Sequence, residues 1–176
     1  MKRVLLGLGS NRVFGELSSL EILKRACREL ALYLKNPVYS SVYVTKAMYV
    51  DNQNDFFNMV VLGNIADEIT PVSLLDEIHK IEAKYGRDRS KEIRFGPRSL
   101  DIDIELFGDE TINTEELQIP HPRISERAFV LIPAIEVLKE NADKKIIERF
   151  QNYLSAIDLN DKANRVDKYI SSKDFL

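Results

Sequence analysis

Leu100-Asp101-Ile102-Asp103-Ile104-Glu105-Leu106 alternates apolar and acidic residues. On a strand, side chains two positions apart share a face. Ile102, Ile104 and Leu106 are therefore expected to enter a core, while Asp101, Asp103 and Glu105 line the opposite side. Neighbouring carboxylates of that row stand roughly 6–7 Å apart at Cβ. That spacing lets them converge on hard cations, which in two-metal sites lie about 3.5–4 Å apart. Magnesium is commonly held by one or two carboxylates with substrate phosphates completing the shell, so Asp101 and Asp103 suffice as a metal pair. An acidic solvated strand face is the ordinary alternative, and the alternation alone favours it.

The residues just upstream weigh the other way. Between Lys84 and Arg98 six basic residues (Lys84, Arg87, Arg89, Lys91, Arg94, Arg98) stand against two acids (Asp88, Glu92), in a chain of net charge -3. Guanidinium groups grip phosphate oxygens in pairs and stabilise charge developing on a transferring phosphoryl group. Gly96-Pro97 fixes the exit of this stretch and sets Arg98 three residues before Asp101. Arginines beside paired carboxylates point to a metal-bound polyphosphate. Gly7-Leu8-Gly9-Ser10-Asn11 adds no nucleotide loop, because it lacks both G-x-x-x-x-G-K-[ST] and the third glycine of G-x-G-x-x-G. It reads as a tight strand-to-helix turn. Asn58 is a polar residue in an apolar run; its amide edge could pair with a heterocycle, although capping a strand or facing water is the commoner role. His121, framed by Pro120 and Pro122 and close to Arg123 and Arg127, suits a phosphate or metal-water contact better than His79, which falls on a helix. No Ser/His/Asp motif supports a hydrolase triad.

The elements that must position these groups follow from periodicity. A buried strand over 4–8 is followed by an amphipathic helix over 17–34, stopped by Asn36-Pro37, and by a strand over 38–45. A polar loop, a strand over 56–65 and a helix over 70–84 come next, then the basic loop, a strand over 100–107 and helices near 125–139 and 143–156. The order β-α-β-β-α-β predicts an α+β, ferredoxin-like antiparallel sheet with helices packed on it and extra C-terminal helices. One domain is expected over 1–157, with a polar tail over 158–176. Length (176 residues), 44% hydrophobic and 30% charged residues describe an ordinary globular chain able to bury a core without staples. The single cysteine, Cys27, forms no internal disulfide, and a reducing cytoplasmic setting is expected. No apolar run approaches the ~20 residues of a membrane span. A pI near 5.5 argues against a nucleic-acid partner, and a monomer is expected.

Leu8-Gly9-Ser10-Asn11, Asp55-Phe56-Phe57-Asn58, Gly86-Arg87, Phe95-Gly96-Pro97-Arg98-Ser99-Leu100-Asp101-Ile102-Asp103-Ile104 and Pro120-His121-Pro122-Arg123 occur in this order. In this the chain resembles the 6-hydroxymethyl-7,8-dihydropterin pyrophosphokinases, from the first strand to about residue 140. The resemblance implies transfer of pyrophosphate from ATP to the pterin hydroxymethyl group, releasing AMP, in folate biosynthesis. It implies Asp101 and Asp103 as ligands of two Mg²⁺ ions, with Arg87 and Arg98 also catalytic. It places Arg87, Lys91, Arg98, Ile104, His121, Arg127 and Glu82 at ATP. Gly9, Thr45, Met48, Phe56, Asn58, Phe95, Asp101 and Phe129 are implied at the pterin, with Phe129 stacking on it. The loop from Arg87 to Arg94 is expected to close over ATP. The chain departs from the family at Phe95, where a tryptophan is usual, and at Thr45-Lys46-Ala47-Met48-Tyr49, which replaces a Thr-x-Pro-x-Gly stretch. Other readings of the same carboxylate pair are a different Mg²⁺-dependent nucleotidyl- or phosphotransferase and, more remotely, an RNA-binding ferredoxin-like module.

Overall fold

Ser18 opens the first helix with a capping box: its hydroxyl accepts from Glu21 N while the Glu21 carboxylate accepts from Ser18 N. Thr70 and Ser73 do the same for the second, with Pro71 in its first turn. In this computed structural model, which describes residues 1–46, 54–88, 96–138 and 144–176, the elements run β1 (Lys2–Ser10), α1 (Ser19–Leu30), β2 (Lys35–Tyr39), β3 (Val42–Thr45), β4 (Phe56–Ile65), α2 (Pro71–Lys84), β5 (Asp101–Phe107), a small hairpin β6 (Ile112–Asn113) and β7 (Gln118–Ile119), α3 (Ala128–Leu138), α4 (Lys144–Ser155), β8 (Val166–Ile170) and α5 (Ser172–Phe175). The main sheet is ordered β5-β1-β4-β3-β8, with β2 also on β4, and its pairs are antiparallel. Without β8 this is the expected ferredoxin-like arrangement.

Helices cover both faces. Val4, Leu6 and Leu8 of β1 pack with Ile22, Leu23 and Ala26 of α1 and Leu74, Ile78 and Ile81 of α2. Leu5 of β1 and Val60 and Leu62 of β4 pack with Leu131, Ala134 and Leu138 of α3 and Phe150 of α4.

Three expectations change. The helix predicted over 17–34 ends at Leu30, so Pro37 lies inside β2. The single strand predicted over 38–45 breaks at Ser40-Ser41. There the Ser40 hydroxyl donates to Ser41 O (2.8 Å) and accepts from Val60 N (2.9 Å), which stands in for a ladder bond. The stretch expected as a polar tail is polar in composition, yet it supplies β8, paired along β3, and Phe175, buried in the first core.

Candidate active site

The β1–β5 register sets Asp101 opposite Gly9 and Asp103 opposite Gly7, then shifts between Leu5 and Leu6, leaving Glu105 as an extra residue in β5. This bulge corrects the expected alternation. Ile102 and Ile104 enter the first core as predicted, whereas Leu106 joins the second core beside α3. Glu105 is fully buried instead of facing water. A cleft of about 770 Å³ opens between the sheet and the start of α3, with Gly9, Asn58, Arg98, Asp101, Asp103 and Phe129 on its walls.

One end of the cleft is charged. Asp101 accepts from Arg87 Nη1 through Oδ1 (2.5 Å) and from Arg98 Nη1 through Oδ2 (2.6 Å). Burial alone would raise its pKa, but the two guanidinium groups outweigh it and hold the carboxyl below its ordinary value. Arg87 is held from behind by Glu82, whose carboxylate also accepts from Ile102 N (2.8 Å). Glu82 is 1% exposed, and its carboxylate braces the arginine against β5. Arg98 is mounted on the turn after β1: its N–H donates to Asn11 Oδ1 (2.7 Å) and its carbonyl accepts from Asn11 N (2.9 Å). Asp103 accepts from Arg127 Nη1 (2.7 Å), and His121 Nε2 stands 3.9 Å away. His121 Nδ1 accepts from Arg123 N (3.1 Å), which leaves the neutral ring's proton on Nε2, toward Asp103. Burial, joined by nearby Arg127, pushes the His121 pKa down and favours that neutral ring. Glu105, with no hydrogen bond to either oxygen, is pushed up to about 8 by burial and by Asp103, against the pull of Arg127.

The other end is aromatic and amide-lined. Asn58 Nδ2 donates to Thr45 Oγ1 (2.8 Å) across the β3–β4 pair. A Cβ at position 9 would meet Asn58 Oδ1 at 3.0 Å, so glycine there makes room for the amide. Phe56 and Phe129 flank this end, and the Arg127 guanidinium lies 5.7 Å from the centre of the Phe129 ring, linking the two halves.

Of the residues proposed from sequence, the structure brings Gly9, Thr45, Phe56, Asn58, Arg98, Asp101, Asp103, Arg127 and Phe129 to one cleft, with Arg87 and His121 against its carboxylates. Ile104 is 4% exposed and its side chain lies in the first core, away from the cleft. Lys91, Met48 and Phe95 lie outside the described residues, as does most of the loop expected to close over ATP. Sequence reasoning missed Asn11 as the mount of Arg98, since its partner is 87 residues away. Among the described residues no cluster of three His, Cys, Asp or Glu side chains could hold a metal unaided. Two carboxylate oxygen donors beside arginines suit a magnesium ion that is bound together with phosphates.

The model of the family described as 7,8-dihydro-6-hydroxymethylpterin-pyrophosphokinase matches residues 5–139. The 2-amino-4-hydroxy-6-hydroxymethyldihydropteridine pyrophosphokinase of Aquifex aeolicus is 36% identical over 137 residues, which are 78% of this chain and 81% of that protein. The protein of the same name from Bacillus subtilis is 44% identical over 101 residues, 57% of this chain and 58% of its own length. Among solved structures, Plasmodium falciparum HPPK-DHPS superposes with a TM-score of 0.66 at 18% identity, covering 93% of this chain and 47% of the longer one, a likeness of fold. On the family match and the Aquifex relative, this chain belongs to the 7,8-dihydro-6-hydroxymethylpterin-pyrophosphokinase family.

Proposed function

We propose that this chain transfers the terminal pyrophosphate of ATP to the hydroxymethyl group of 6-hydroxymethyl-7,8-dihydropterin, releasing AMP, in folate biosynthesis. The observation that carries the reading is one cleft with two unlike ends: carboxylates paired with arginines at one, and an Asn58–Thr45 amide with Phe56 and Phe129 at the other. A planar heterocycle fits the second end, stacked on Phe129 and hydrogen-bonded along the Asn58 edge. The polyphosphate fits the first. Asp101 and Asp103 would hold two Mg²⁺ ions, which when bound neutralise phosphate charge and polarise the reacting phosphorus.

The chain's own residues do the rest. Arg98 and Arg127, which line the cleft, and Arg87, which stands against Asp101, are each now bonded to a carboxylate and exchange that partner for phosphate oxygens. The pterin hydroxyl oxygen bonds to the β-phosphorus as the bond from that phosphorus to the α–β bridging oxygen breaks. AMP leaves with the bridging oxygen, and the hydroxyl proton is lost to solvent. Positioning and charge stabilisation supply most of the rate. His121, neutral and hydrogen-bonded at Nδ1, presents an N–H donor beside Asp103. Among the described residues helices pack on both faces of the sheet, an arrangement that disfavours reading it as an RNA-binding platform. Asp101→Ala and Asp103→Ala should each abolish turnover; near-normal rates in either variant would contradict the metal assignment.

A further inference from the structure

The C-terminal segment lies beyond the residues that match the family model, yet it packs against Thr45 and Phe129, which line the aromatic end of the cleft. β8 is the edge strand on β3, with Thr45 opposite Val166 and Tyr43 opposite Lys168. Thr45 is the residue whose hydroxyl holds the Asn58 amide. A shallow notch at Phe129 is walled by Thr45, Ala128, Ala163, Asn164, Arg165 and Val166. The segment is anchored at several points. Lys168 Nζ lies 3.4 Å from Glu136 Oε1 and 5.6 Å from the Tyr43 ring centre, Tyr169 meets the Phe57 ring edge-on at 5.0 Å, and Phe175 is buried in the first core. Glu136 in turn accepts from Ser41 N (3.0 Å), Ser41 Oγ (2.7 Å) and Tyr43 OH (3.0 Å). That carboxylate therefore ties β3 and β8 to α3, the helix that carries Phe129 near its start.

We propose that residues 163–170 are a positioning element for the pterin: they clamp the end of β3 to α3 and so set the spacing between the Asn58–Thr45 pair and the Phe129 ring. This rests on the pyrophosphokinase reading of the cleft. The polyphosphate end is built from β5 at the opposite edge of the sheet, from the Asn11 turn and from Arg127. Loosening β8 should therefore weaken pterin use while leaving nucleotide binding in place.

The test uses full-length chains carrying Val166→Gly, which removes a wall of the notch and weakens the strand, or Lys168→Glu, which sets like charges face to face at Glu136. Val166→Ile serves as the conservative control. Each is assayed for AMP formation, for thermal unfolding and for calorimetric binding of a non-hydrolysable ATP analogue with Mg²⁺. The expected result is a KM for 6-hydroxymethyl-7,8-dihydropterin raised at least about fivefold by misplacement of the ring contacts, with nucleotide affinity within about twofold of wild type and Val166→Ile unaltered. If Val166→Gly fails to fold, Lys168→Glu, at an exposed side chain, decides the matter alone. An unchanged pterin KM, or equal losses for both substrates, would overturn the inference while leaving the pyrophosphokinase reading intact. A wild-type chain that makes no AMP would overturn both.

Discussion

At the scale of single residues, the cleft depends on side chains whose partners are fixed from behind. Arg98 is held through its backbone by Asn11 and through its guanidinium by Asp101, so it is preorganised for a phosphate. Arg98→Ala is expected to lower kcat by about 10²-fold or more, the scale of losing one such contact, and steady-state kinetics at saturating substrates checks it. Gly9 faces Asn58 so closely that Gly9→Ala should push the amide off Thr45. The KM for the pterin should then rise about tenfold with little change in nucleotide affinity, read by kinetics and calorimetry. Glu105 works against stability, since a buried carboxyl without hydrogen bonds costs about 1–3 kcal/mol. Glu105→Leu should accordingly raise Tm by a few degrees in thermal unfolding, which is what about 1 kcal/mol gives in a domain of this size. The acidic row of β5 was plain in the sequence, but the burial of Glu105 was not. A bulge has no local signature when the residues on either side keep alternating.

At the scale of elements, α3 links the site to the sheet through Glu136. Burial pushes this carboxyl's pKa up, but the Ser41 and Tyr43 hydrogen bonds and Lys168 outweigh that and hold it below its ordinary value of 4.5. A folded pKa below the unfolded one adds stability that is fully present above the unfolded value and is lost as pH falls through the folded value. The advantage of wild type over Glu136→Gln should thus be constant near neutrality and shrink below about pH 4.5, as followed by denaturant unfolding across pH. The order of elements was legible because each helix has its cap and stripe, as in the Ser18 and Thr70 boxes. Where tertiary contacts decide, the reading fell short. Ser40 and Ser41 break a strand because Val60 and Glu136 offer them partners, and 166–170 becomes a strand because the edge of β3 is there to receive it.

At the scale of the whole molecule, the ferredoxin-like sheet brings chain segments far apart in sequence to one cleft: the turn after β1, the β3–β4 pair, β5, and the start of α3. The charged half of that cleft was legible from residue types and spacing alone. The pterin half was not, because Asn58, Thr45 and Phe129 have ordinary structural roles until the fold sets them around one space, and the resemblance to a family named the ligand. The central claim is that the two halves act on one pair of substrates. It is tested most directly by supplying purified protein with ATP, Mg²⁺ and 6-hydroxymethyl-7,8-dihydropterin and resolving the nucleotide products. AMP should form, and only when the pterin is present; ADP in its place, or AMP formed equally well without the pterin, would contradict the pyrophosphokinase reading.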